Sequence, residues 1–287
     1  MTSTVTHGTV NNEDCNLAYW HQGTGPLITF IPGGNGHGRQ YNPLMTLLSS
    51  RYTCVTFDRR QMSSSQVAIN KIFNPYQQAR DVLAVIKAMG VEKSIVFGSS
   101  LGGVLGFQLA SDYPDVIDHL ICHEAPTIHL LPDQKELTEE LFEVYNTYKT
   151  QGQEAVDALW GKHFEVMRDP EMRFQPLAQS EPGNAKNFFE NEFLVCTFWK
   201  TDFEKIRSDG VSAGVMRGER SGEEFFARTT VEQERVLGCL WESVPGHHQG
   251  FEAESEVFAV ALLGMLEKLV KRRDENISEQ GDNLVVN

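Results

Sequence analysis

Three clusters of residues have the types and spacing needed for acyl transfer. The first is Gly98-Ser99-Ser100-Leu101-Gly102, a G-x-S-x-G pattern that follows the apolar run Ser94-Ile95-Val96-Phe97 and precedes Leu-Gly-Gly-Val-Leu-Gly-Phe-Gln-Leu-Ala. A strand that turns into a helix within two or three residues holds its apex side chain off the sheet on a strained backbone. Glycines two before and two after the apex remove Cβ atoms that would collide there. Ser100 is that apex residue. A serine hydroxyl is a weak nucleophile at neutral pH, so it needs a base within hydrogen-bond reach and a carboxylate to orient that base. The base belongs on the loop between the last strand and the last helix, where Pro245-Gly246-His247-His248-Gln249-Gly250-Phe251 offers both His247 and His248.

The carboxylate has two candidate positions. Glu219 lies in the loop after the seventh strand, the usual place for it, and Glu124 stands directly after the sixth. A glutamate in the second position would be costly to bury unpaired and therefore needs a partner, which an imidazole or an arginine such as Arg59 could supply. Glu124 is preferred on that ground, with Glu219 as the alternative. The third cluster is Pro32-Gly33-Gly34-Asn35-Gly36-His37-Gly38, which follows an apolar strand at 27–31. Its glycines leave backbone N–H groups free to approach a ligand, as a loop that binds an oxyanion requires.

Those clusters need elements to hold them. The pattern predicts a hairpin over 8–22, strands at 27–31, 52–57, 94–97 and 117–122, and helices over 39–49, from Pro75 to Gly90 and from Leu101 to about 112. Asn74-Pro75 supplies an N-cap and a first-turn proline, and Ala79, Val82, Leu83 and Ile86 supply a buried stripe. Strands alternating with helices give parallel crossovers, with strand 94–97 at the centre. Helical patterns at 135–150, 154–168 and 184–199 then follow without an intervening strand. They predict a helical cap over 128–210 between two parts of a core, 1–127 and 211–271. Its aromatics must mostly pack the cap onto the core; Trp160, Phe188, Phe189 and Trp199 are the candidates for lining an apolar substrate pocket. A strand at 211–217, a helix over 223–237, a strand at 239–244 and a helix over 254–270 complete the core. The charged stretch 272–287 is expected to be a frayed tail.

Composition narrows the function. The 287 residues, 40% of them hydrophobic, can bury a large core, and a net charge of −14 disfavours nucleic acid or an anionic membrane as partner. Five scattered cysteines without a C-x-x-C pair point to a reducing, cytoplasmic setting. Neither a signal peptide nor a membrane span is expected, since the first ten residues are polar and no apolar run reaches 18 residues.

Pro32-Gly33-Gly34, Asp58-Arg59-Arg60, the elbow, His123-Glu124-Ala125-Pro126 and the Pro245–Phe251 loop together resemble the α/β-hydrolase superfamily. The resemblance covers about 15–127 and 211–270, and is to small microbial hydrolases with a His-Glu-Pro-Pro segment after strand six. More distantly, Cys122-His123-Glu124-Ala125-Pro126-Thr127 is similar to the Cys-His-Glu-x-Pro-Thr segment of fungal zearalenone lactonases. This resemblance implies an α/β fold with a mostly parallel central sheet flanked by helices and a helical cap. It implies Ser100 as nucleophile, Glu124 as acid and His248 as base, with the N–H groups of Gly34 and Leu101 as oxyanion hole. Acyl transfer by such residues needs no metal or organic cofactor, and the aromatics of the cap suggest a small hydrophobic ester or lactone as substrate. Two departures stand out: the elbow reads Ser-Ser-Leu-Gly, and His247 occupies a position that is not usually histidine. The insertion does not match that of the lactonases, so their substrate does not transfer. Cofactor-free lyases, cyclases and thioesterases use the same scaffold and stand as the alternative, while Ser, Glu and His in this order speak against a non-catalytic ligand binder.

Overall fold

A computed structural model describes residues 4–34, 36–159 and 181–285. Eight strands, β1 (Thr6–Asn12), β2 (Cys15–Gln22), β3 (Leu27–Ile31), β4 (Thr53–Phe57), β5 (Ser94–Ser99), β6 (Ile117–His123), β7 (Ala213–Gly218) and β8 (Leu240–Val244), form one sheet. Their order is β1-β2-β4-β3-β5-β6-β7-β8. The β1–β2 and β2–β4 pairs are antiparallel, and every other pair is parallel. The expected hairpin, the parallel crossovers and the central position of β5 are all present.

The all-apolar strands are apolar because both faces of the sheet are covered. β5 is buried along its whole length. Val96 points to one side, into a cluster with Val82, Val104 and Phe107, while Ile95 and Phe97 point to the other, among Tyr41, Phe251 and Phe258. The first cluster is built by α2 (Pro75–Ala88) and α3 (Leu101–Asp112). α2 starts where expected, with the Asn74 side chain accepting from the N–H groups of Tyr76 and Gln77. α3 is buried at every residue except Asp112, and its glycines permit that. The other face is covered by α1 (Asn42–Leu48), which follows a short 3₁₀ turn at Gly38–Tyr41, and by the terminal helix.

Between β6 and β7 lie α4 (Gln134–Gln151), α5 (Gln153–Leu159), α6 (Pro182–Asn187), a π-helical turn at Phe188–Glu192 and α7 (Phe193–Phe198). No strand occurs among the described residues of this insertion. The single helix predicted over 184–199 is therefore divided by a wider turn, a local change of register that re-aims side chains. The remainder of the helix predicted over 154–168 lies outside the described residues. A further short helix, α8 (Phe203–Ser208), was not expected; its cap is the Asp202 side chain, which accepts from the Lys205 N–H at 2.9 Å. α9 (Phe225–Leu237), α10 (Gly250–Ala253) and α11 (Ser255–Val285) complete the fold.

α11 corrects the expectation of a frayed tail, because its backbone stays helical to Val285. The stretch Lys271-Arg272-Arg273-Asp274-Glu275 consists mainly of good helix formers. It is also tied to the core: Arg272 donates to the Gly238 carbonyl at 3.0 Å, and Arg273 pairs with Asp118 at 2.5 Å. No described helix is long and apolar enough to cross a membrane.

A Cβ on Gly102 would lie 2.1 Å from the Ile31 carbonyl oxygen, a backbone atom that cannot swing away. Gly102→Ala is therefore expected to lower unfolding free energy by about 3 kcal/mol, measured by urea denaturation. Gly210→Ala, with nothing within 4 Å of the added Cβ but φ at +69°, should cost about 1 kcal/mol through backbone strain alone.

Candidate active site

The turn from β5 into α3 puts Ser100 at φ 56° and ψ −129°, a conformation that costs energy for any residue with a side chain. The surroundings enforce it. Ser100 N–H donates to the His123 carbonyl at 2.8 Å, which ties the apex to the end of β6. A Cβ at Gly98 would lie 2.2 Å from the Gly102 oxygen. Both glycines of the motif are thus required by backbone meeting backbone. Leu101 is the first residue of α3, so its N–H has no helical carbonyl to receive it.

Glu124 follows β6 directly, at φ 47° and with no exposure to solvent. Its Oε1 accepts from the Gly218 N–H at 2.8 Å, and its Oε2 lies 2.8 Å from His248 Nδ1. That contact brings Glu124, one of the two candidate carboxylates, to His248, one of the two candidate histidines. Glu219 is exposed at the surface, and Arg59 is engaged elsewhere, with Glu192. His248 Nδ1 meets the carboxylate, and His247, also buried, accepts at its Nδ1 from the Gln249 N–H at 3.0 Å. The Phe226 ring sits 4.1 Å from the His248 ring and packs its face. No Ser100–His248 hydrogen bond is formed among the described residues. Such bonds often tighten only when substrate is present.

Ser100 and His248 share one cavity of about 310 Å³ with Gly34 and Leu101. Phe188, Phe189 and Phe193 from the insertion and Phe225 and Phe226 from α9 supply much of its wall. No Lys, Arg, Asp or Glu is among the described lining residues. Of the aromatics expected to line a pocket, Phe188 and Phe189 do. Trp199 is not among the described lining residues: its Nε1 donates to Gln108 Oε1 of α3 at 2.9 Å and its ring packs edge-on against Tyr76 of α2. Trp160 lies outside the described residues.

A family model described as alpha/beta hydrolase fold matches residues 26–189. The chain belongs to the α/β-hydrolase family. It is similar to the uncharacterized hydrolase YraK of Bacillus subtilis (strain 168), with 27% identity over 271 residues, covering 92% of this chain and 97% of that one. The crystal structure of E-2-(acetamidomethylene)succinate hydrolase superposes with a TM-score of 0.68 at 21% identity, over 92% of this chain and 100% of that one. The enol-lactonase from Burkholderia xenovorans LB400 superposes with a TM-score of 0.65 at 16% identity, over 91% and 100%. At these identities the two structures share the fold.

In this α/β-hydrolase, burial and polar neighbours set the protonation states around the elbow. Burial by itself pushes the Glu124 carboxyl up, but the imidazoles of His123 and His248 outweigh it, and the pKa falls to about 2. The carboxylate is therefore ionised at neutral pH. His123 is fully buried with Nδ1 3.0 Å from Ser99 Oγ and its ring edge-on to Phe258, and burial lowers its pKa to about 4. It is neutral at pH 7. Cys196 also lines the cavity, but burial raises its thiol to about 12 and leaves it protonated. Among the described residues no group of three His, Cys, Asp or Glu side chains could hold a metal ion.

His37 is, like His123, buried and held at a pKa of about 4 chiefly by burial. Between pH 6.5 and 4 the unfolded chain binds protons that these folded side chains refuse, so they make stability fall as pH drops through that window. The slope of unfolding free energy against pH, read from urea midpoints, should lose about one proton in His123→Phe. Glu124 acts lower: with its folded pKa below the unfolded value of 4.5, its contribution is present above pH 4.5 and is lost as pH falls toward 2.

Proposed function

We propose that this chain is a serine hydrolase that cleaves a carboxylic ester or lactone of a small, neutral, hydrophobic substrate. Ser100 is the nucleophile, His248 the base and Glu124 the acid that orients it. The observation that carries this reading is the His248 Nδ1–Glu124 Oε2 contact of 2.8 Å in the wall of the cavity that also holds Ser100. With Nδ1 committed to the carboxylate, Nε2 is left to take the Ser100 proton as Oγ attacks the carbonyl carbon. The N–H groups of Gly34 and Leu101 hold the oxyanion that develops. The tetrahedral intermediate collapses to an acyl-serine, and His248 returns the proton to the departing alkoxide. A water molecule, deprotonated by His248, then releases the acid and restores Ser100.

A phenylalanine-rich cavity with no charged side chain among its described lining residues favours a neutral acyl group, because a carboxylate buried there would find no cation among them. The helices between β6 and β7 act as a cap on the core and supply three of the five phenylalanines. The enol-lactonase shares this architecture, and lactone cleavage is one form of the same chemistry.

A fluorophosphonate should add once to the wild type, as read by intact mass. The adduct should be absent from Ser100→Ala and form at least about a hundredfold more slowly on His248→Ala. Glu124→Gln should lower kcat for p-nitrophenyl hexanoate strongly, whereas Glu219→Gln should leave it within about twofold. A folded wild type that neither takes the label nor hydrolyses neutral esters would count against the proposal, as would a preference for the charged p-nitrophenyl succinate.

A further inference from the structure

Arg59 is an arginine with no exposed surface, placed just after β4. Its Nη1 and Nη2 donate to the two carboxylate oxygens of Glu192, at 3.1 and 2.8 Å, and Glu192 stands in the π-helical turn of the insertion. Its Nε donates to the Gly33 carbonyl at 3.1 Å. The same carbonyl accepts from the Gly36 N–H at 3.0 Å, and the Arg59 N–H donates to the Gly36 carbonyl at 2.8 Å. One side chain therefore joins the glycine loop after β3 to the insertion.

The peptide joining Gly33 and Gly34 is trans and planar, so its C=O and N–H point in opposite directions. Two donors fix the oxygen on the side of Arg59. The Gly34 N–H must then face away from Arg59, and Gly34 lines the cavity that holds Ser100 and His248. The ring of Phe188, at the start of the same π turn, would be 3.1 Å from a Cβ on Gly34, so the turn packs on the loop from the cavity side as well. We infer that Arg59 and Glu192 are positioning residues that aim the Gly34 N–H at the oxyanion and make its direction depend on how the insertion is seated. This rests on the proposed hydrolase chemistry. Asn187 Nδ2, which donates to Glu192 Oε1 at 3.2 Å, steadies the carboxylate from within the insertion.

The test compares wild type with the paired variant Arg59→Met and Glu192→Met, which removes both charges together and keeps the volume filled. Each protein is assayed with p-nitrophenyl hexanoate, titrated with hexaneboronic acid and with hexanol, unfolded by heat, and its Gly34 amide resonance followed in an isotope-labelled sample. The paired variant should unfold within a few degrees of wild type yet lose about tenfold to a hundredfold in kcat, with KM changed less than about threefold. Boronic acid binding, which needs the oxyanion hole, should weaken by a similar factor. Hexanol binding, which does not, should hold, and the Gly34 resonance should move. If the paired variant fails to fold, Arg59→Lys carries the same expectations, because lysine keeps the charge facing Glu192 but lacks the Nε fork. A folded variant with wild-type kcat and an unmoved Gly34 resonance overturns the inference. So does one in which KM and hexanol binding fall together with kcat. A wild type that takes no fluorophosphonate while Gly34 still moves in the variant overturns the catalytic consequence alone, through the hydrolase reading.

Discussion

The close approach of α3 to the ends of β3 and β5 is the constraint on which this architecture depends. Carbonyl oxygens of Ile31 and Gly102 occupy the space where side chains of Gly102 and Gly98 would otherwise stand. That proximity lets the chain reverse from strand to helix without a connecting loop, and Ser100 takes the strain at the apex. The buried surface of α3, packed on the sheet at nearly every residue, is what sustains the strain. Hydrophobic burial on that scale outweighs a local backbone cost of about 1–3 kcal/mol.

Ionised groups with no contact with solvent lie on either side of that turn, and each has its own compensation. Glu124 is stabilised by the Gly218 N–H and His248. Arg59 and Glu192 neutralise one another through two hydrogen bonds, with the Gly33 carbonyl taking a third donor. A buried pair of this kind contributes little net stability compared with well-packed apolar residues, while removing one partner alone is strongly destabilising. Its use is therefore geometric, in line with the placing of a loop by one end and an insertion by the other.

How much of this was legible in the sequence depended on the range of the forces involved. The elbow is a local steric problem, and five consecutive residues state its solution. The parallel sheet follows from the alternation of strand and helix patterns, and the helices between β6 and β7 from an uninterrupted stretch without strand signals. The choice between His247 and His248 is different, because neighbouring residues share composition and only the loop's path separates them. That path is set by Gly246 at φ 92°, where a Cβ would be 2.8 Å from the Gly250 Cα. Trp199 was misplaced because helical spacing says which residues share a face but not what that face meets, and the π turn at Phe188–Glu192 changes the spacing. Phe225 and Phe226, which wall the cavity from outside the insertion, carried no local sign beyond being aromatic. Arg59 and Glu192 lie 133 residues apart, and no pattern in either segment names the other.

The insertion leaves the core after β6 and returns before β7, two strands that are hydrogen-bonded neighbours. Its two stems therefore emerge side by side, and the sheet is complete without it. Seen as a piece of architecture, the core is a socket and the helices a replaceable fitting, so a different set of helices could be exchanged there in evolution or in the laboratory without re-threading a strand. The exchange carries one condition. Any incoming cassette must bring a carboxylate to the place that Glu192 holds, or the core must give up the arginine that waits for it.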